Sequence, residues 1–291
     1  MDNIIPIACS ANSSYLPHLS TMLTSLVNNN KDVLFDCFLF INKKEINTSI
    51  IEKLSNSFNS KAIRFTIINI SSEDFYDFKV SSYISIESYF RFLIPKKLPL
   101  EYKKALYLDA DMVINGSLSE LFRTNIENYD LAAVEDLDID ENVKQKLGVD
   151  CYFNAGLLLL NLEKIRNEKL DDEWFNIAID KQSIITYNDQ CVLNYVSNHK
   201  WKKLHPKWNL MTYNTIQKDK SLEVLEALAQ PIIIHFNEGL GRPWETICFH
   251  PYKYFYEFYR SKSVFSNYKK KKGRKKYIIK NILLSLKALS E

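Results

Sequence analysis

Glycine is scarce in this chain of 291 residues, which contains six. No cluster of them could form the turns through which Walker or Rossmann motifs cradle phosphate with backbone N–H groups. Any phosphate the protein handles must be met by side chains or by a metal ion. The five cysteines, Cys9, Cys37, Cys151, Cys191 and Cys248, are odd in number, widely scattered and without a Cys-x-x-Cys pair. That argues against a disulfide framework and a thiolate zinc site, and it fits a reducing cytoplasm. Long hydrophobic runs are missing too. Met1-Asp2-Asn3 has no basic leader, and the apolar run 4–9 is too short for a signal peptide or a membrane span. There is no internal repeat. With 46% hydrophobic and 13% aromatic residues, the chain can nevertheless bury a large core and is not a disordered protein.

The segment Leu106-Tyr107-Leu108-Asp109-Ala110-Asp111 is an apolar run that ends in two carboxylates one residue apart. It predicts a strand covered on both faces, whose carboxyl end delivers acids where α/β sheets bind ligands. Hard oxygen donors there suit Mg²⁺ or Mn²⁺. An exposed acidic turn is the plainer alternative.

Strand and helix patterns alternate along the body. Strands are predicted at 4–9, 33–41, 62–70, 104–109, 130–135, 156–161 and 231–236, and helices at 15–29, 44–58 and 189–197. Strand–helix–strand at the amino end predicts an α/β nucleotide-binding half. A second apolar run, Pro231-Ile232-Ile233-Ile234-His235, ends in an imidazole. It leads into Gly239-Leu240-Gly241-Arg242-Pro243-Trp244, where an Arg fork suits a diphosphate. Asn154 precedes the leucine-rich strand, and Asp189 with Gln190 opens a helix, from which they can reach a ligand or, for Asp189, simply cap the helix.

Charge divides the chain. Residues 260–291 hold eleven Lys or Arg and one acid, a charge of +10, which leaves −7 on the rest of a chain whose net charge is +3. Within them, 277–289 places Ile278, Ile279, Ile282, Leu283, Leu286 and Leu289 on one helical face, after the cluster Lys269 to Lys276 and a group of aromatics from Tyr252 to Tyr259. This predicts a basic amphipathic tail that associates with an anionic membrane surface. A helix docked on the body and a nucleic-acid patch are the alternatives, and nucleic acid is not the expected partner. The expected division is a catalytic body, 1–250, and a membrane-association tail, 251–291.

Taken in order, four segments resemble glycosyltransferase family 8, the retaining enzymes that include glycogenin and the bacterial lipopolysaccharide galactosyl- and glucosyltransferases. They are Tyr107-Leu-Asp109-Ala-Asp111 with Gly116-Ser-Leu-Ser-Glu-Leu-Phe, Tyr152-Phe-Asn154-Ala155-Gly156, Asn188-Asp189-Gln190, and His235 through Arg242-Pro-Trp244. Ser88-Tyr-Phe-Arg91 is similar to the family's arginine helix. The resemblance covers roughly Ile4 to Trp244 and implies a GT-A fold, a Rossmann-like mixed sheet flanked by helices. It also implies a UDP-sugar donor, a galactose or glucose residue moved to a saccharide or glycolipid acceptor, and Mn²⁺ (or Mg²⁺) held by Asp109, Asp111 and His235. Nucleotide contacts would come from Ala8, Ser10, Asn12, Tyr15, Asp109, Ala110, Gly239 and Arg242, with Tyr15 on the uracil and Arg242 on the diphosphate. Sugar contacts would come from Arg91, Asn154, Ala155, Asp189 and Gln190, with Gln190 and Asp189 at the reacting centre. Three departures stand out: Asn12-Ser13 replaces the family's acidic pair, the loop after His235 is one residue longer, and Cys191 stands where an acid is often found. The implied setting is lipooligosaccharide, lipopolysaccharide or capsule synthesis by a peripheral protein on the inner face of the cytoplasmic membrane. The alternatives are a metal-dependent nucleotidyltransferase and a non-catalytic, membrane-associated binding protein with a decayed site.

Overall fold

The computed structural model describes residues 4–45, 47–80, 85–237 and 239–272. Among these, ten strands form two sheets: β1 (Ile4–Ser10), β2 (Leu34–Asn42), β3 (Ile63–Ile70), β4 (Lys104–Leu108), β5 (Met112–Ile114), β6 (Leu131–Glu135), β7 (Phe153–Asn161), β8 (Trp201–Lys203), β9 (Leu210–Met211) and β10 (Ile233–His235). The larger sheet runs β3-β2-β1-β4-β7-β6-β8, and the smaller runs β5-β10-β9. Strands β3, β2, β1 and β4 are mutually parallel. Strand β7 runs antiparallel to both β4 and β6, so the large sheet is mixed.

The apolar runs 105–108 in β4 and 155–160 in β7 have a direct cause: both strands are buried on two faces. Leu106, Leu108, Leu157 and Leu159 point into one core, and Ala105, Tyr107, Leu158 and Leu160 into the other. Side chains alternate along a strand, so one run supplies both layers.

All seven expected strands are present, with ends that agree to within three residues. The expected helix over 44–58 is shorter and broken. A 3₁₀ turn, Lys43–Glu45, precedes a helix that begins only at Thr48, because the Asn47 side chain accepts the Ile50 N–H and caps it. The arginine helix is a 3₁₀ helix, Ile86–Leu93. Strands β5, β8 and β9, two or three residues each, were not anticipated; runs this short carry no readable period.

The aromatics grouped with the tail divide between body and solvent. In the helix Lys253–Lys262, Tyr256 and Tyr259 are buried, whereas Tyr254 and Phe258 are exposed. Tyr256 Oη lies 2.7 Å from His18 Nδ1, and Asn29 donates to Tyr259 Oη at 2.7 Å, which ties this helix to the first helix, Leu16–Asn29. The predicted amphipathic helix at 277–289 lies outside the described residues. No helix among the described residues is long and apolar enough to cross a membrane.

Burial pulls the imidazoles of His18 and His250 down to about 3. A histidine in the unfolded chain keeps a value near 6.5 and takes up a proton first. Stability is therefore full above that value and falls as pH drops toward 3, by up to about 1.4 kcal/mol per pH unit for each histidine. Urea titrations should show a lower midpoint near pH 5 than near pH 7, with a shallower dependence in His18→Phe.

Candidate active site

Asp109, Ala110 and Asp111 are the three residues by which the chain leaves the large sheet after β4 and enters the small one at β5. His235 closes β10 and pairs in register with Met112. Two separate strand ends thus deliver the acids and the imidazole to one point. Their ligand-competent atoms all lie within 4.8 Å of one another. His235 Nε2 stands 3.2 Å from Asp111 Oδ1 and 3.9 Å from Asp109 Oδ2.

Hydrogen bonds orient this group, and main-chain N–H donors make the orientation unambiguous. Gly156 N donates to Asn154 Oδ1 at 3.0 Å, so the oxygen of that amide faces inward. Asn209 Nδ2 donates to the same oxygen at 3.0 Å, which turns Asn209 Oδ1 toward His235 Nδ1, also at 3.0 Å. Nδ1 must then carry a proton, and Nε2 faces the two carboxylates. With that tautomer Nε2 can offer its lone pair beside the two carboxylates, a donor set that could hold a metal ion. Burial pushes the Asp111 carboxyl up, but the charges and hydrogen bonds of His235 and Arg242 outweigh it and hold the group well below the usual carboxylate range. Arg242 Nη1 reaches Asp111 Oδ2 at 2.5 Å.

The same logic fixes the neighbouring amides. Ala155 N donates to Gln190 Oε1 at 2.9 Å, leaving Gln190 Nε2 to face Asp136 Oδ2 at 3.4 Å. Asn154 Nδ2 faces that oxygen at 3.4 Å. Burial raises the Asp136 carboxyl, against the hydrogen bonds it accepts from the Asp138 main chain, Asn154 and Gln190. Arg91 is buried and forked. Its Nε lies 3.0 Å from Asp189 Oδ2, Nη2 lies 3.2 Å from Asp109 Oδ1, Nη1 donates to the Ala155 carbonyl, and the guanidinium covers the Tyr107 ring at 4.1 Å. Burial raises the carboxyls of both Asp109 and Asp189, with Arg91 opposing it in each case.

All of these groups but Asp136 and Asn209, which stand behind the lining, border one cavity of about 730 Å³. Ser10, Asn12, Tyr15, Asp109, Ala110 and Arg242 border it, as do Arg91, Asn154, Ala155, Asp189, Gln190, Asp111 and His235. Ala8 and Gly239 do not: Ala8 is wholly buried within β1, and Gly239 backs onto Thr212. Sequence reasoning missed Asp136, Asn209 and Tyr107. Asp136 had a signal, since it directly follows strand β6 as Asp109 follows β4. Asn209 had none, because its role depends on two residues distant in the chain.

The sheet order and the strand-end acids define a protein of the GT-A fold. Over 89% of this chain and 96% of its own, the galactosyltransferase LgtC, solved in complex with donor and acceptor sugar analogs, superimposes with a TM-score of 0.78 at 23% identity. The sequence pattern of Glycosyl transferase family 8 matches residues 6–248, and the chain belongs to that family. It is a glycosyltransferase. General stress protein A of Bacillus subtilis is 27% identical over 271 residues, 89% of this chain and 94% of that one. The lipopolysaccharide 1,2-glucosyltransferase of Escherichia coli is 25% identical over 259 residues, 86% of this chain and 76% of that one.

Proposed function

We propose that this glycosyltransferase moves a hexose, glucose or galactose, from a UDP-sugar to a saccharide acceptor with retention at the anomeric carbon, in lipopolysaccharide or related surface-saccharide synthesis. The observation that carries the reading is the meeting of Asp109, Asp111 and His235 beside Arg242 in one cavity. The glucosyltransferase and galactosyltransferase among its relatives and fold neighbours support the hexose and the saccharide.

Asp109, Asp111 and His235 would hold Mn²⁺ or Mg²⁺, whose Lewis acidity stabilises the charge that builds on departing UDP. Arg242 supplies a second positive charge to the diphosphate, and Tyr15, whose ring lies 5.9 Å from the Arg242 guanidinium, packs against the base. Arg91, Asn154 and Asp189 orient the sugar. Gln190 faces the anomeric carbon. Because its carbonyl oxygen already accepts the Ala155 N–H, it supports an oxocarbenium-like state electrostatically better than it attacks as a nucleophile. The body, 1–250, carries this chemistry. The tail within 251–291, through residues 260–291, holds the protein on an anionic membrane surface, so its deletion should abolish low-salt sedimentation with anionic vesicles.

UDP release from UDP-glucose and UDP-galactose with Mn²⁺ tests the reaction. Release from one sugar is expected, with loss of roughly 10²-fold or more in Asp111→Asn and on EDTA treatment. Absence of both release and Mn²⁺-dependent UDP binding in the unaltered protein would overturn the reading.

A further inference from the structure

Arg242 sits in a closed loop, Leu240 to Phe249, whose base is tied by Phe249 N donating to the Leu240 carbonyl at 2.8 Å. The loop is tightly folded within. Gly241 has φ +78°, and a Cβ there would overlap the Ile247 carbonyl oxygen. Nothing in these internal bonds fixes how the loop sits over the metal-competent acids. Besides the Arg242–Asp111 pair, a main-chain hold comes from far along the chain: Lys271 N donates to the Trp244 carbonyl at 2.9 Å, and the Lys271 carbonyl accepts from Thr246 N at 2.8 Å. This is a two-bond parallel bridge between Lys271 and Glu245.

Side chains reinforce the bridge. Trp244 stacks on His18 at 3.9 Å between ring centroids, and Tyr268 meets the opposite partner of that stack, His18, edge-on at 5.2 Å. Tyr256 Oη holds His18 Nδ1. The Lys271 side chain, by contrast, is exposed. The main chain at 271 therefore does structural work on the Arg242 loop that its ammonium does not share.

We infer that the segment Tyr268–Lys271 is a positioning strap for the donor's diphosphate, holding the loop so that Arg242 reaches both Asp111 and the phosphate. This rests on the UDP-sugar reading of the site. It assigns to the first residues of the basic tail a part in donor binding that is separate from any membrane contact.

The test compares Lys271→Pro, which deletes the donated N–H, with Lys271→Ala, which deletes the ammonium-bearing side chain and keeps that N–H, both in the full chain. UDP affinity with Mn²⁺ is read by calorimetry, uridine affinity by NMR titration, and folding by circular dichroism and thermal midpoint. Lys271→Pro is expected to weaken UDP binding about 10-fold, equivalent to about 1.4 kcal/mol, and to leave uridine within about twofold. Lys271→Ala should leave both unchanged, and the proline effect should vanish in an Arg242→Ala background. Tyr268→Ala, which loosens the same strap without a proline, should repeat the selective loss of UDP affinity. Equal UDP affinities in the proline and alanine variants, an equal loss for uridine, or a proline effect that persists without Arg242 would each overturn the strap. If the unaltered protein itself shows no Mn²⁺-dependent UDP binding, it is the donor reading that fails.

Discussion

Gly156→Ala is expected to lose the proposed metal-dependent UDP release by roughly 10²-fold or more, the scale of the charge stabilisation such a metal would supply, although one methyl group is all that is added. A Cβ at this position would overlap His235 Cε1 and come within 2.9 Å of both Asp109 Oδ2 and Asn154 Oδ1. Elsewhere in a strand, Gly→Ala would gain about 0.5–1 kcal/mol through backbone entropy. Here overpacking, about 1–3 kcal/mol, exceeds that gain, and the strand cannot retreat because Asp109 N is bonded to the Gly156 carbonyl at 2.8 Å. The groups that must give way are the metal-competent ones. Mn²⁺ affinity, measured by calorimetry, should fall together with activity, while circular dichroism should report an intact fold. Normal Mn²⁺ affinity in this variant would show that Gly156 does not shape the cradle.

Arg91→Met is expected to be the most destabilising single change at the site, by about 3–5 kcal/mol. The guanidinium is the counter-charge of two carboxylates at once, Asp189 and Asp109, and is itself buried. Its removal leaves both acids in a low-dielectric pocket. The deficit relative to the unaltered protein should shrink as pH is lowered toward about 5, because protonation removes the uncompensated charge. Arg91→Lys should rescue only part of the loss, since a point charge cannot serve Asp189, Asp109 and the Ala155 carbonyl together. Urea unfolding at two pH values checks the sign. A deficit that does not change with pH would place the effect in lost packing over Tyr107 instead.

The strands that build the site were legible for a simple reason. Strands β4, β7 and β10 are buried, so most of their residues are apolar, and a polar residue that ends such a run stands out. Asp109, Asp111 and His235 could be picked out on that basis before any geometry was known. The helix over 44–58 was misjudged because the apolar spacing runs through Asn47, whose side chain caps the backbone locally and overrides the period. Asp136 went unremarked among several nearby acids. Only its contact with two amides, themselves oriented by main-chain donors, distinguishes it from Asp138 and Asp140.

By itself, the sequence determined the α/β alternation, the family, the identity of the metal-competent acids and the charge division between body and tail. Each follows from local composition or from motifs in a fixed order. Only the tertiary structure decided that β4 and β10 end at the same point, through the antiparallel pairing of His235 with Met112. It also decided that Asn209 sets the tautomer of His235, and that residue 271 holds the loop bearing Arg242. These are pairings between segments 26 to more than 120 residues apart. Hydrogen bonds of that range depend on where packing brings two backbones together, and no local pattern of residue types records it.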